Sequence, residues 1–150
     1  MGSSDPSIAA QMAAIVNHWV EGAERAPAAD SRYGEVFNPA TGQVARKVAF
    51  ASPAEVDAAV QSATKAFPGW AATPALRRAR VMFKFKELLE RHTPELAALI
   101  TSEHGKVLSD AQGEITRGME VVEFACGIPQ LLKGEYSEQV GTGIDMYSIR

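Results

Sequence analysis

From Ser52 to Cys126 the apolar residues return at intervals of three and four, so this stretch can bury its hydrophobic side chains together only as helices. The first helix is signalled by "SPAEV". Ser52 is placed to cap, Pro53 suits the first helical position, and Glu55 stands where a capping box needs its acid. Val56, Val60, Ala63, Phe67 and Trp70 then form one face, read as core. In "TPALRRARVMFKFKELLERH" a second helix is expected to start with Thr73 as cap and Pro74 in its first turn. Its buried stripe is read as Val81, Phe85, Leu88 and Leu89, and Arg77, Arg78 and Arg80 as its wet side. Pro94 should open a new turn after Thr93, with Leu96, Leu99 and Ile100 continuing the apolar face until Gly105 supplies a left-handed C-terminal residue. A third helix is expected from about Ser109, which has capping-box spacing to Gln112. Its inward face is Ala111, Ile115, Met119, Val122 and Cys126.

Ahead of the helices, β-prone runs at Ile15 to Val20, Gly34 to Phe37 and Val44 to Phe50 alternate with Gly, Pro, Asn and Asp, the pattern of a small antiparallel hairpin system. "NPATG", Asn38 to Gly42, is a turn by its chemistry, since Pro39 presets one φ and Gly42 supplies a positive one. "GTG" at 141–143 is also read as a turn, because no strong strand precedes it and no helix follows, as a dinucleotide-binding loop would require. No repeat, low-complexity block or long linker divides the chain. Residues 1–14 are expected to form a flexible terminus, and residues 15–150 one structural region.

A chain of 150 residues with 46% hydrophobic content and net charge -3 has enough apolar material for a core, and lacks the basic footprint of a nucleic-acid or anionic-membrane binder. No apolar run approaches the length of a membrane span, and the first Arg is Arg25, unlike an Arg-rich transit peptide. The expected location is cytoplasmic; a mature form starting here leaves the mitochondrial matrix open. The single cysteine, Cys126, allows no internal disulfide and suits a reducing compartment. His18, His92 and His104 show no metal or triad spacing, so solvated or capping roles are expected.

One residue resists the amphipathic scheme. Arg117 lies midway along the third helix, on a stripe with Gly113, Val121 and Phe124, and both that stripe and the Ile115 stripe look covered. Its guanidinium cannot lose its proton, so burial demands an anion. Glu114 and Glu120, each three positions away, are possible partners, and helical pairs of this kind are common. A ligand carboxylate is the other source.

The ordered blocks "NPATG", "SPAEVDAAV…AFPGW", "RRARVMFKFKELLERHTPELAALITSEHGK", "GEITRGMEVVEFACG" and "DMYSIR" resemble the N-terminal part of the aldehyde dehydrogenase superfamily from about Asn17 onward. "SEHGK", "RGMEVVEFACG" and "DMYSIR" look most like its CoA-acylating methylmalonate-semialdehyde dehydrogenases. The resemblance implies an α/β fold of the aldehyde dehydrogenase type: a short β-hairpin system, then three long helices packed on a Rossmann-type cofactor domain lying mostly downstream. It also implies NAD as cofactor and coenzyme A as co-substrate. A cysteine thiolate adds to the aldehyde, hydride leaves to the nicotinamide, and the thioester that remains loses CO2 and passes its acyl group to coenzyme A. Malonate and methylmalonate semialdehydes would thus yield acetyl- and propionyl-CoA. Arg117 matches the family arginine that clamps the substrate carboxylate, and with that match the ligand reading overtakes the ion pair.

The family's nucleophilic cysteine, oxyanion asparagine, phosphate loop, ribose-binding acid and general-base glutamate have no counterpart among these residues. Cys126 lies in a helix with no histidine nearby and reads as a small core residue. The chain is therefore expected to be the N-terminal portion of an enzyme, inactive by itself. Its early hairpin would take part in subunit contact within a homo-oligomer, dimer or tetramer, and "DMYSIR" would start a strand left unpaired. The expected partner is a small carboxylated aldehyde, with neither nucleic acid nor membrane. Two rivals stay open: another NAD(P)-dependent aldehyde dehydrogenase giving the free acid, and a non-enzymatic helical assembly module docking through Val121 and Phe124.

Overall fold

A computed structural model of the chain describes residues 15–150. The flexible terminus expected for residues 1–14 lies outside the described residues. Five short strands come first: β1 (Ile15–Val16), β2 (His18–Val20), β3 (Ala23–Arg25), β4 (Tyr33–Phe37) and β5 (Val44–Ala49). Helices α1 (Pro53–Ala72), α2 (Ala75–Arg91), α3 (Thr93–His104), α4 (Leu108–Cys126) and α5 (Ile128–Leu131) follow, and β6 (Glu135–Gly141) and β7 (Ile144–Ser148) end the series. The chain is α/β, as expected. It divides into two compact units, one made of the described residues through Ala71 with Ala98–Ala111, the other of Ala72–Ala97 with Gln112–Arg150.

In the first unit the sheet is mixed, which corrects the purely antiparallel expectation. β5 is its central strand, antiparallel to β4 on one side and parallel to β1 on the other. A parallel partner cannot be inferred from a local turn, because its return path is long. β2, within the expected β-prone run Ile15 to Val20, forms a separate hairpin with β3, a strand absent from the sequence reading. At its tip Glu21 and Gly22 both take positive φ, as a two-residue primed turn demands. "NPATG" is the expected turn: Asn38 accepts the Gly42 N–H on its carbonyl at 2.8 Å and the Ala40 N–H on its side-chain oxygen at 2.9 Å. Gly42 has φ +69.

The capping box at the start of α1 is also as expected. The Ser52 N–H and Oγ–H donate to Glu55 Oε2 at 2.7 and 2.8 Å, and the Glu55 N–H donates back to Ser52 Oγ at 3.3 Å. The other Glu55 oxygen accepts the Ala28 N–H at 3.1 Å, tying the helix start to the loop after β3. These donors, Ser52 first, hold the Glu55 carboxyl below its ordinary pKa. The α1 core face, however, is not buried: Val56, Val60, Phe67 and Trp70 are 47% to 67% exposed. Periodicity identified the apolar side of the helix but supplied no element to cover it.

In the second unit α2 buries a side that shares only Leu89 with the stripe expected. Ala79 is buried, with Arg78, Met82, Lys86 and Leu89 half-buried, while Val81, Phe85 and Leu88 are exposed. Arg78 is therefore no wet-side residue; its Nε is buried without a hydrogen-bond partner. Thr73 and Pro74 are displaced by one place, since Pro74 is the N-cap and Ala75 the first helical residue. The helical stretch breaks at His92, the α2 C-cap, and Thr93 opens α3 with its hydroxyl donating to the Leu89 carbonyl at 2.8 Å. Pro94 has no N–H to continue the older ladder, so the expected second helix is two. Gly105 ends α3 with φ +80, as expected. α4 starts at Leu108, with Asp110 and Ala111 bonding back to the Val107 carbonyl, so Ser109 sits in the first turn and does not cap it.

α5 packs on α2. β6, missed in the sequence, pairs antiparallel with β7, so the terminal β-prone run has a partner on one edge. Gly143, φ +70, forms the expected turn between them.

Candidate functional site

α4 has two faces of different character. One carries Ala111, Ile115, Val122 and Cys126, all buried, with Met119 half-buried beside them. The spacing in the sequence predicted this set. The other carries Arg117 between Gly113 on one turn and Val121 and Phe124 on the next, and it opens to solvent: Val121 is 68% and Phe124 67% exposed. Cover on both sides was expected; among the described residues only the Ile115 side has it. Arg117 itself is exposed, and its side chain makes no ion pair or hydrogen bond among the described residues, so neither Glu114 nor Glu120 holds it. A permanent cation flanked by two outward apolar side chains can take a planar anion bidentately while its neighbours exclude water from the pair.

α4 is steadied by a partner on the neighbouring helix. Lys86, on the inward side of α2, bridges Glu90 on its own helix and Glu123 of α4, the latter at 3.2 Å. Hydrogen bonds to Glu90 and then Glu123 raise the pKa of the ammonium. The sequence missed this bridge because Lys86 lies off the stripe taken for the inward face of α2.

Cys126 follows Arg117 by nine positions, which on an α-helix puts the two on opposite sides; its thiol is buried and free. Such a thiol fits the core role expected for it. His92 caps α2 and its Nδ1 meets the Glu95 carboxylate at 2.9 Å, while His104 is exposed in the last turn of α3. In the first unit, clefts of ≈ 320 and ≈ 700 Å³ are lined respectively by residues around Arg46 and Glu103 and by His18, Trp19, Val56 and Val60; Arg117 lines neither. No helix among the described residues is long and apolar enough to cross a membrane.

Residues 26–150 match the profile of the aldehyde dehydrogenase family. Malonate-semialdehyde dehydrogenase of Pseudomonas aeruginosa is 47% identical over 119 residues, covering 79% of this chain and 24% of that protein. The mitochondrial, acylating methylmalonate-semialdehyde dehydrogenase of Arabidopsis thaliana is 49% identical over 120 residues, 80% of this chain and 20% of its own length. The chain thus spans a quarter or less of these relatives. Among solved structures, one from Sinorhizobium meliloti, assigned as a methylmalonate-semialdehyde dehydrogenase and complexed with NAD, superposes with TM-score 0.85 at 50% identity, over 91% of this chain and 28% of the other. The profile match runs through the capping box of α1, the α2–α3 break and the Arg117 face, and the folded chain reproduces its relative's backbone over nearly its whole length: it belongs to the aldehyde dehydrogenase family.

Proposed function

We propose that this chain is the N-terminal part of an NAD-dependent, CoA-acylating dehydrogenase of malonate and methylmalonate semialdehydes, and that Arg117 receives the substrate carboxylate. The observation that carries this reading is an unpaired guanidinium on an outward face of α4, between Val121 and Phe124. A cation without a protein anion among the described residues, in a chain about half identical over some 120 residues to semialdehyde dehydrogenases, matches what every such substrate carries besides its aldehyde. Arg117 would bind one end of the semialdehyde and so fix the direction of the other, while Val121 and Phe124 would keep water from the ion pair. NAD, when bound, supplies the hydride acceptor; the solved Sinorhizobium meliloti relative carries it. On this reading the nucleophile and the coenzyme A site would lie outside the quarter of the relatives' length that this chain matches. Assembly as a dimer or tetramer is part of the same reading. It is favoured by the exposed apolar residues of β6 and β7, among them Val140, Ile144, Met146 and Tyr147.

The test is Arg117→Leu in the full-length protein. Loss of one charge-assisted pair should lower kcat/KM for malonate semialdehyde by roughly tenfold to a hundredfold, corresponding to about 1.5–3 kcal/mol, and spare simple alkyl aldehydes. Equal losses on both substrate classes refute the clamp. Omitting coenzyme A and assaying for free acid separates acylation from hydrolysis.

A further inference from the structure

Glycine is the least favourable helix-interior residue other than proline, and α4 carries two, Gly113 and Gly118. Their surroundings differ. A methyl group at 118 would meet nothing within 4 Å, whereas one at 113 would stand 3.8 Å from Nη1 of Arg117. Side chains on a helix lean toward its N-terminus, so the one four residues on lies over the turn before it. The Arg117 guanidinium accordingly lies back over the turn of Gly113, where, chain neighbours aside, no other side chain among the described residues comes within 4 Å of the position a Cβ would take.

We propose that Gly113 is a positioning residue. By leaving the helix surface bare at this point it lets the Arg117 guanidinium lie along α4, and so sets the selectivity for aldehydes that carry a carboxylate. This rests on the clamp reading of Arg117. An alanine at 113 would touch Nη1 at ordinary van der Waals distance. A longer side chain reaches past that contact into the volume the guanidinium occupies. Arg117 must then turn to another rotamer, its fork aimed elsewhere, with no change to its charge.

The test uses the full-length protein and reads the ratio of kcat/KM for malonate semialdehyde to that for propanal. Gly113→Leu and Gly113→Met, both compatible with a helix, should lower the ratio roughly tenfold, chiefly through a higher KM for the semialdehyde. Gly113→Ala should restore it to within about threefold. Gly118→Leu, the same exchange in the same helix, should leave it unaltered. Adding Gly113→Leu to Arg117→Leu should produce no further fall, because both act on one contact. Far-ultraviolet circular dichroism establishes that each variant is folded, and the unbranched methionine provides the measurement if leucine disrupts the helix. If Arg117→Leu itself leaves the ratio at its starting value, the clamp reading fails. If Arg117→Leu lowers it while Gly113→Met does not, or if Gly118→Leu lowers it as much, the role of Gly113 fails alone.

Discussion

Replacing Ser52 by alanine removes the hydroxyl that both donates to Glu55 Oε2 at 2.8 Å and accepts the Glu55 N–H at 3.3 Å. An N-cap hydroxyl is typically worth about 1 kcal/mol, within a range of roughly 0.5–2. Here the accepting bond is long and the donating one short, and Glu55 keeps the N–H groups of Ser52 and Ala28 after the change, so no buried charge is stranded. The expected cost is therefore close to the typical value. For a chain of this length it lowers the thermal midpoint by roughly 2–4 °C. Circular dichroism melting at micromolar concentration measures it, with Ser52→Thr expected to restore most of the loss. The pH dependence carries the same argument further. Because the folded pKa of Glu55 is depressed, its contribution is present above the ordinary carboxylate pKa and is lost as pH falls through the folded value. Glu55→Gln should flatten that part of the acid limb. A melting point unmoved by Ser52→Ala, or an acid limb unchanged by Glu55→Gln, would refute the reasoning.

Gly105→Ala should destabilise more than Gly22→Ala, as read by denaturant unfolding. Both residues take positive φ, a conformation costing an L-residue about 1–2 kcal/mol, but only at 105 would the new methyl also meet Pro39 Cγ, at 3.0 Å. For Lys86→Met, faster amide exchange is expected along the last turns of α4, because the Glu123 bridge is gone. Since the folded pKa of Lys86 is raised, the stabilisation it gives is present below the ordinary lysine pKa and fades as pH rises through the raised value; the variant should lack that fading. Unaltered exchange and an identical alkaline limb would show the bridge to be idle.

Three contacts that close within a few residues were legible in advance. The Ser52/Glu55 box, the Asn38–Gly42 turn and the left-handed Gly105 all satisfy a local backbone need, and only a few residue types meet it. The burial of Ala111, Ile115, Val122 and Cys126 was legible for a related reason, since helical spacing collects them on one side. The same logic misread α1, where Val56, Val60, Phe67 and Trp70 share a face that nothing among the described residues covers. In α2 it selected Val81 and Phe85, whereas Ala79 and Lys86 face inward. Of the candidate face, the sequence showed that Arg117 shares a stripe with Gly113, Val121 and Phe124. It did not show that the stripe stays open.

Local stereochemistry is written in the order of side chains, so the sequence by itself determined the turns at Asn38–Gly42 and Gly143, the α1 cap and the lone cation on α4, and its family resemblance implied the α/β class. Three matters were left to tertiary structure: the parallel seat of β1 beside β5, the bridge from Lys86 to Glu123, and the freedom of Arg117 from Glu114 and Glu120. Each depends on which residue arrives from a distant part of the chain, or on which of several reachable rotamers is taken. A one-dimensional pattern limits those choices, and only packing in three dimensions decides among them.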